Sequence, residues 1–364
     1  MSERRELIRV GVNGYGVIGK RVADAVRLQP DMVLVGVADV AADYRIKVAA
    51  EQTYAIYAAV PERRADLEVA GIPVAGTLDD LISAVDVIVD CTPKGVPANN
   101  LSRYQAAGVK VIVQGGEKHD LAGLSFVAQV NYEAALGKDL ARVVSCNTTA
   151  LCRIADAFQR RGLLKRVRAV LVRRATDPWE SHLHGMINTI VPETKVPSHQ
   201  GPDAQTVIPG LDITTIAAAG PFTVSHIHFA MIETTRPVSS DEARDTLEAA
   251  PRIALVRADD GLGALNAMSE LMRDLGRPRG DMWEVGVWED TLGADAREVY
   301  LSYQVHNEAI VIPETIDCIR ALVGRETNPV RSIGLTDQSL GIVKRFLPAS
   351  AWQNAELTPV AGQL

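Results

Sequence analysis

The segment "LIRVGVNGYGVIGKRVAD", residues 7–24, is an apolar strand that runs into Gly14-x-Gly16-x-x-Gly19 and then straight into helical periodicity. The first glycine permits a tight turn, the second lets backbone approach a pyrophosphate, and the third lets the helix pack close to the strand. The helix's free N–H groups and positive dipole end then face the phosphates, with Val17 and Ile18 meeting them through the main chain. Glycines cluster in many turns, so context decides. A second strand, "MVLVGVAD", follows at the right distance and ends at Asp39, twenty residues after Gly19. An acidic residue there bonds ribose hydroxyls and repels a 2′-phosphate, which points to NAD over NADP. The bland alternative is a glycine turn with a solvated aspartate.

Outward from this turn, the first 145 residues alternate apolar runs with helical patterns. "VDVIVDCTP", "VKVIVQGG" and "LSFVAQVN" read as further short strands. Near-continuous apolar strands between helices indicate a parallel sheet covered on both faces. After a helix at roughly 148–161 the texture changes. "KRVRAVLVRRATDP", "AGPFTVSHIHFAMIETTRP", "PRIALVRAD" and "REVYLSYQVHNEAI" are longer, β-branched and alternating, which suits a mixed or antiparallel sheet. Between them "IVPETKVPSHQGPDAQTVIPG" reads as a long, functional loop with little regular structure. "IPETIDCIRALVG" is a helix with Pro313 in its first turn, expected to pack back on the first unit. The last 20 or so residues read as a loosely ordered tail. The fold expected is α/β: a Rossmann-type doubly wound parallel sheet domain plus an α+β catalytic domain with a mixed or antiparallel sheet. Residues 1–145 with 308–364 would form the cofactor unit, and 146–307 the catalytic and oligomerisation unit.

A chain of 364 residues is comfortable for two such domains. Hydrophobic residues make up 47% and charged residues 23%, ordinary values for a globular protein. No apolar run reaches membrane-span length, and the N-terminus shows no signal-peptide core, so a cytoplasmic address and no membrane contact are expected. The net charge of -7 argues against a general nucleic-acid binder. The four cysteines have no zinc spacing and no CxxC, so neither a metal site nor a disulfide framework is expected.

One cysteine stands apart. "VVSCNTTALCR", residues 143–153, puts Cys146 in a polar turn between a strand and a helix. Free N–H groups there lower a thiol's pKa and can hold an oxyanion. Thr148 could be the helix cap. Cys152, Cys91 and Cys318 read as core. Position alone leaves Cys146 open between catalytic thiol and corner residue. For a base, "TVSHIHFAM" puts His226 and His228 on one face of a strand; His199, in the Pro/Gly loop, is the other candidate. His119, His182, His184 and His306 have weaker claims. Alternation sends Arg173 and Arg174 to opposite faces, so one would face a cleft and the other make a structural ion pair.

Together "GVNGYGVIGKRVADAV", "DCTPKG", "VQGGEKH", "GLSFVAQVNYE", "RVVSCNTTALCR", "VRAVLVRRATDP", "PSHQGPD" and "PETIDCIRA" closely resemble the archaeal-type (type II) phosphorylating glyceraldehyde-3-phosphate dehydrogenases, over about residues 8–340. The resemblance implies that the Cys146 thiolate attacks the aldehyde of glyceraldehyde 3-phosphate to give a hemithioacetal. Hydride transfer to the nicotinamide would leave a thioester, which inorganic phosphate would release as 1,3-bisphosphoglycerate. It implies His226 as the base that takes the hemithioacetal proton, with His228 in support. It carries substrate binding onto Ser145, Asn147 and Thr148 around Cys146, and onto Gln200 and Gly201, with Arg173 and His199 as further phosphate candidates. It carries cofactor binding onto Gly116, Arg174 and Asn307. It also implies a homotetramer, with the β-rich unit supplying interfaces.

Three departures stand out. Gln200 occupies a position where the family often has a second histidine. Asp39 stands where archaeal members often carry Thr and Lys that suit NADP. A C-terminal extension passes the usual end. The alternatives are a related Cys/His aldehyde dehydrogenase acting on a semialdehyde or acyl-CoA, and a non-catalytic NAD-binding regulator.

Overall fold

The computed structural model describes residues 7–114 and 116–347. Among them, eight strands form a parallel sheet: β1 (Ile8–Asn13), β2 (Met32–Asp39), β3 (Ile56–Ala58), β4 (Val74–Thr77), β5 (Val87–Asp90), β6 (Lys110–Val113), β7 (Ser125–Phe126) and β8 (Leu140–Val143). Their order is β4-β3-β2-β1-β5-β6-β8-β7. The chain builds outward from β1 on one side, then returns to begin the other side at β5. Between β1 and β5 the connections diverge, leaving the crevice where a doubly wound sheet binds ligands. Every residue of β5 is buried, as helices on both faces require.

The run "LSFVAQVN" is a strand only over Ser125–Phe126; Ala128–Asn131 then turns helical. The reason lies in where its amides go. The Val127 N–H donates to Asn131 Oδ1 at 3.0 Å and the Ala128 N–H to Glu314 Oε2 at 2.5 Å, so neither is left for a ladder.

The second sheet contains β9 (Leu164–Arg174), β10 (Val191–Pro192), β11 (Ile213–Gly220), β12 (His226–Thr234), β13 (Ile253–Val256), β14 (Val285–Trp288), β15 (Gly293–Asp295) and β16 (Glu298–Val305). Its order is β10-β11-β9-β12-β16-β14-β13, with β15 on β16. β9 and β11 run parallel, while β12 is antiparallel to both β9 and β16, so the sheet is mixed. Period-two alternation gives it two unlike faces. Val167, Ala169 and Leu171 of β9 and Ala230 and Ile232 of β12 are buried; Ile216, Phe229 and Tyr300 stand exposed on the other side.

The Pro/Gly segment is more ordered than its composition indicates. Val191–Pro192 pairs with β11, and Gln200–Gln205 forms a helix. Thr215 of β11 pins it: its hydroxyl bonds Ser198 Oγ at 2.8 Å and accepts the Gly201 N–H at 3.0 Å. A polar side chain in the next strand, invisible to local reading, supplies the order.

The helix Cys146–Arg160, called the thiol helix below, joins the two sheets and is buried from Asn147 to Phe158. Inside it, Arg153 is fully buried and meets Glu314 of the helix Ile312–Val323 at 2.5 Å. Glu314 also faces Arg252 at 3.3 Å, and Arg252 meets Asp317 at 2.5 Å and Asp337 at 2.7 Å. The helix Ile312–Val323 carries Pro313 in its first turn and lies against the first helix (Val17–Arg27), β6 and β8. No helix of the described residues is long and apolar enough to cross a membrane. Of the tail expected to be loosely ordered, residues 348–364 lie outside the described residues.

Arg252 has two other carboxylates, but among the described residues Arg153 bonds only main-chain oxygens besides Glu314. Glu314→Gln therefore leaves a buried guanidinium without its bonded carboxylate. A loss of about 3–5 kcal/mol in unfolding free energy is expected, measured by urea titration, and a change under 1 kcal/mol would refute the pair's importance.

Candidate active site

The corner after β8 folds as it does because Ser145, extended at φ -63° and ψ 161°, caps the thiol helix: its Oγ accepts the Thr148 N–H. Ser145, not Thr148, is the cap. Thr148 is fully buried and its hydroxyl donates to Asp203 Oδ2 at 2.7 Å, so it braces the turn and does not face the cleft. Asp203 in turn meets Arg142 at 2.5 Å.

Cys146 then takes the first helical position. Its Sγ lies 3.3 Å from His226 Nε2 and 3.8 Å from Asn147 Nδ2. Burial pushes the thiol up to about 11. The Arg174 charge opposes this most strongly, then the Asn147 amide N–H, while Asp177 adds to the rise. The helix terminus and one cation thus offset only part of the desolvation; the depressed pKa expected from position alone is not reached.

His226 is buried, and burial holds its imidazole well below the usual range, with neighbouring His228, Arg174, Arg173 and His306 acting in the same direction. The Arg174 main-chain N–H donates to His226 Nδ1 at 3.0 Å. A neutral imidazole accepting at Nδ1 carries its proton on Nε2. The ring therefore meets the sulfur with an N–H, whereas a base needs a lone pair there. In this arrangement His226 stands as a donor to the sulfur, and a base role belongs to the tautomer with its lone pair on Nε2.

Both arginines act electrostatically on His226, but only Arg174 acts on Cys146. Arg174 Nε lies 2.8 Å from Asp177 Oδ1, which also accepts from Asn307 Nδ2 at 3.0 Å. Asn307 Oδ1 accepts the Ser225 N–H at 2.8 Å. Arg173 meets Glu193 at 2.9 Å, and Glu193 also meets His199 at 3.1 Å. Gln200 is fully buried with neither side-chain atom hydrogen-bonded, and the Gly201 N–H is spent on Thr215, so neither presents a free donor to the cleft. A cavity of about 640 Å³ opens beside Ser145, lined by Gly116, His199, Lys94, Lys118 and Arg142.

At the first turn, Gly14 has φ +89°, and a Cβ there would meet the Thr92 nitrogen at 2.8 Å. A Cβ on Gly19 would run into the Gly14 carbonyl oxygen, while one on Gly16 would meet nothing within 4 Å. The helix from Val17 has no side-chain cap and no acidic residue in its first turn. Open space over Gly16 and uncapped N–H groups fit a dinucleotide's pyrophosphate. Asp39 is oriented by the N–H groups of Tyr15 at 2.6 Å and Ala41 at 2.8 Å, leaving lone pairs for ribose hydroxyls.

Sequence reasoning missed Asp177, Glu193 and Asp203. Asp177 and Asp203 lie inside motifs already singled out, "RRATDP" and "SHQGPD"; nothing local marks Glu193.

Known proteins share both halves of the chain. A family model described as glyceraldehyde 3-phosphate dehydrogenase, C-terminal domain, matches residues 145–269, and one described as dihydrodipicolinate reductase, N-terminus, matches residues 8–131. The glyceraldehyde-3-phosphate dehydrogenase of Methanobacterium bryantii is 47% identical over 336 residues, covering 92% of this chain and 99% of its own. That of Methanothermobacter thermautotrophicus is 45% identical over 338 residues, 93% of this chain and 100% of its own. That of Methanothermus fervidus is 42% identical over 336 residues, 92% and 99%.

Because Arg174 opposes and Asp177 reinforces the rise of the thiol, their variants move it in opposite directions. Arg174→Ala slows iodoacetamide alkylation of Cys146 at neutral pH by roughly tenfold, through a smaller thiolate fraction, and Asp177→Asn speeds it. Displacement of the two pH–rate profiles in the same direction would refute this.

Proposed function

The chain belongs to the glyceraldehyde-3-phosphate dehydrogenase family, and we propose that it oxidises glyceraldehyde 3-phosphate through a thioester on Cys146, which inorganic phosphate converts to 1,3-bisphosphoglycerate. The observation that carries this is the Cys146 sulfur at a helix N-terminus, 3.3 Å from His226 Nε2.

The Cys146 thiolate attacks the aldehyde carbon, and the carbonyl electron pair moves onto oxygen. The proton of the thiol goes to solvent, since in the arrangement with Nδ1 bonded to the Arg174 amide the His226 Nε2 carries a hydrogen. His226 Nε2–H, Asn147 Nδ2 and the first N–H groups of the thiol helix hold the oxyanion. A nicotinamide dinucleotide, when bound, supplies the hydride acceptor. The donors release the oxygen as its lone pair re-forms the carbonyl of the thioester. Phosphate then attacks that carbon, and the departing thiolate returns to the same donors.

Gly14, Gly16, Val17, Ile18 and Gly19 hold the pyrophosphate, Asp39 the ribose, and Gly116, Arg174 and Asn307 the nicotinamide end. Asp39 favours NAD; NADP use is residual, because Arg45, the nearby cation, is tied to Asp43 at 2.6 Å. Ser145 and Asn147 bind the reacting end of the substrate, and Arg173 and His199 bind phosphate beside the cavity. Thr148, Gln200 and Gly201 support that wall from inside. The two sheets support a division into a cofactor unit, 1–145 with 308–364, and a catalytic unit, 146–307.

The assembly is a homotetramer in the cytoplasm. Exposed Trp179, Ile187, Ile190, Val191 and Val196 in one segment, and Ile216, Phe229 and Tyr300 on the open face of the second sheet, fit subunit contacts. Four free thiols fit a reducing compartment.

Cys146→Ser abolishes turnover and leaves NAD binding intact; phosphate-dependent NAD reduction in that variant would refute the nucleophile. With phosphate present and absent, the same assay separates this activity from semialdehyde or acyl-CoA chemistry. Asp39→Ala raises relative NADP use, and an unchanged ratio of kcat/KM for the two cofactors would show that Asp39 does not read the ribose.

A further inference from the structure

The second histidine of "SHIH" has no role in the chemistry above, yet it is buried to the last percent and sits against the cysteine's neighbour. His228 is fully buried on β12, beside Tyr303 of β16, with ring centroids 5.0 Å apart. Its Nε2 lies 2.8 Å from Asn147 Oδ1. Its Nδ1 is buried without a partner. Asn147 is itself buried, and its Nδ2 points at the Cys146 sulfur.

Two arrangements are open to a neutral ring and an amide at this distance. In one, His228 Nε2–H donates to Asn147 Oδ1, leaving the Nδ1 lone pair unanswered, and the Asn147 N–H faces the sulfur. In the other, the amide is reversed. Asn147 then donates to Nε2, a buried Nδ1–H is left unanswered, and Oδ1 faces the sulfur. An orphaned N–H is the rarer and costlier defect. An amide oxygen against a thiolate or an oxyanion is also repulsive, whereas an N–H donor to either is favourable.

We infer that His228 is a positioning residue, whose Nε2–H fixes the direction of the Asn147 amide so that Asn147 presents a donor to the Cys146 sulfur and to the oxygen that forms on its substrate. The inference rests on the reading of Cys146 as nucleophile. Burial, which holds the His228 imidazole down to about 3, keeps the ring neutral at all working pH values and the donor arrangement unchanged. The other groups around Cys146, His226 and His228 are Arg174 and Asp177 beside the thiol, Arg173 and His306 beside His226, and Tyr303 of β16 against His228. None of them is altered by the substitutions that follow.

The test is a double-mutant cycle between positions 228 and 147 on the full chain, read by the pH dependence of Cys146 alkylation with iodoacetamide and by kcat. His228→Phe keeps the ring and removes the N–H; His228→Ala carries the same test if the phenyl ring is not accommodated. Either variant moves the alkylation profile to higher pH and lowers the neutral-pH rate by about 10- to 100-fold, the worth of one hydrogen bond to a charged group. His228→Gln, which retains an N–H donor, restores most of the rate. In the Asn147→Ala background, removal of His228 costs nothing further. An unchanged profile in His228→Phe, or losses that add across the two positions, would overturn the inference. Turnover by Cys146→Ser would instead overturn the reading beneath it, and the two failures are distinct.

Discussion

The amino end of the thiol helix lies at the cleft, with Ser145 and Cys146 half-buried and Asn147 and Thr148 buried, and its first N–H groups need partners there. Ser145 Oγ takes one, from Thr148, and the Thr148 hydroxyl is in turn held by Asp203. The amides of Cys146 and Asn147 act on the sulfur itself. The helix cannot slide to relieve this end, because Arg153, two turns along, is fixed by Glu314 and by the carbonyl oxygens of Trp283 and Ile310. A buried ion pair is weak evidence of net stability, but it is strong evidence of position, since any displacement uncovers a charge. Position is what a nucleophile at a helix terminus requires.

The same burial sets the electrical state of the site. Desolvation raises the Cys146 thiol and lowers both His226 and His228. It therefore opposes a resting thiolate–imidazolium pair from both sides. Three oriented donors face the sulfur in that state: the helix N–H groups, His226 Nε2–H and Asn147 Nδ2. Each is oriented by a second group. The Arg174 main-chain amide sets the His226 tautomer from behind, which no side-chain substitution reveals.

What could be read from the sequence was what local geometry writes into it. Gly14, Gly16 and Gly19 each answer a different steric demand, and their spacing shows it. Cys146 in a strand-to-helix corner and His226 and His228 two apart on a strand were legible for the same reason, and the family resemblance joined them across 80 residues. The partners of buried charges were not legible. Arg153 and Glu314 are 161 residues apart, and Arg142 and Asp203 are 61 apart. Nothing in "TALCRIAD" says that its arginine points inward, because an arginine on a helix is usually solvated. The proton position on His226 was also illegible, since it depends on a main-chain N–H of a neighbouring strand. Gln200 shows a further limit: in a polar loop it reads as a ligand, and it is buried because Thr215 pulls the loop inward.

Three arginines around the cleft come with carboxylates. Arg174 has Asp177, Arg142 has Asp203, and Arg173 shares Glu193 with His199. Lys94 and Lys118 line the cavity beside Ser145 and make no ion pair among the described residues. An anion arriving at Arg173 and His199 replaces Glu193, and its binding energy is the difference between two anions. Such an exchange weakens ground-state binding without touching the donors that act on the oxyanion. Interactions made equally in ground and transition states lower KM but do not raise kcat. A site that must take up one phosphate compound and let go of a more highly charged one gains from that restraint, because tight capture of the product would slow its release.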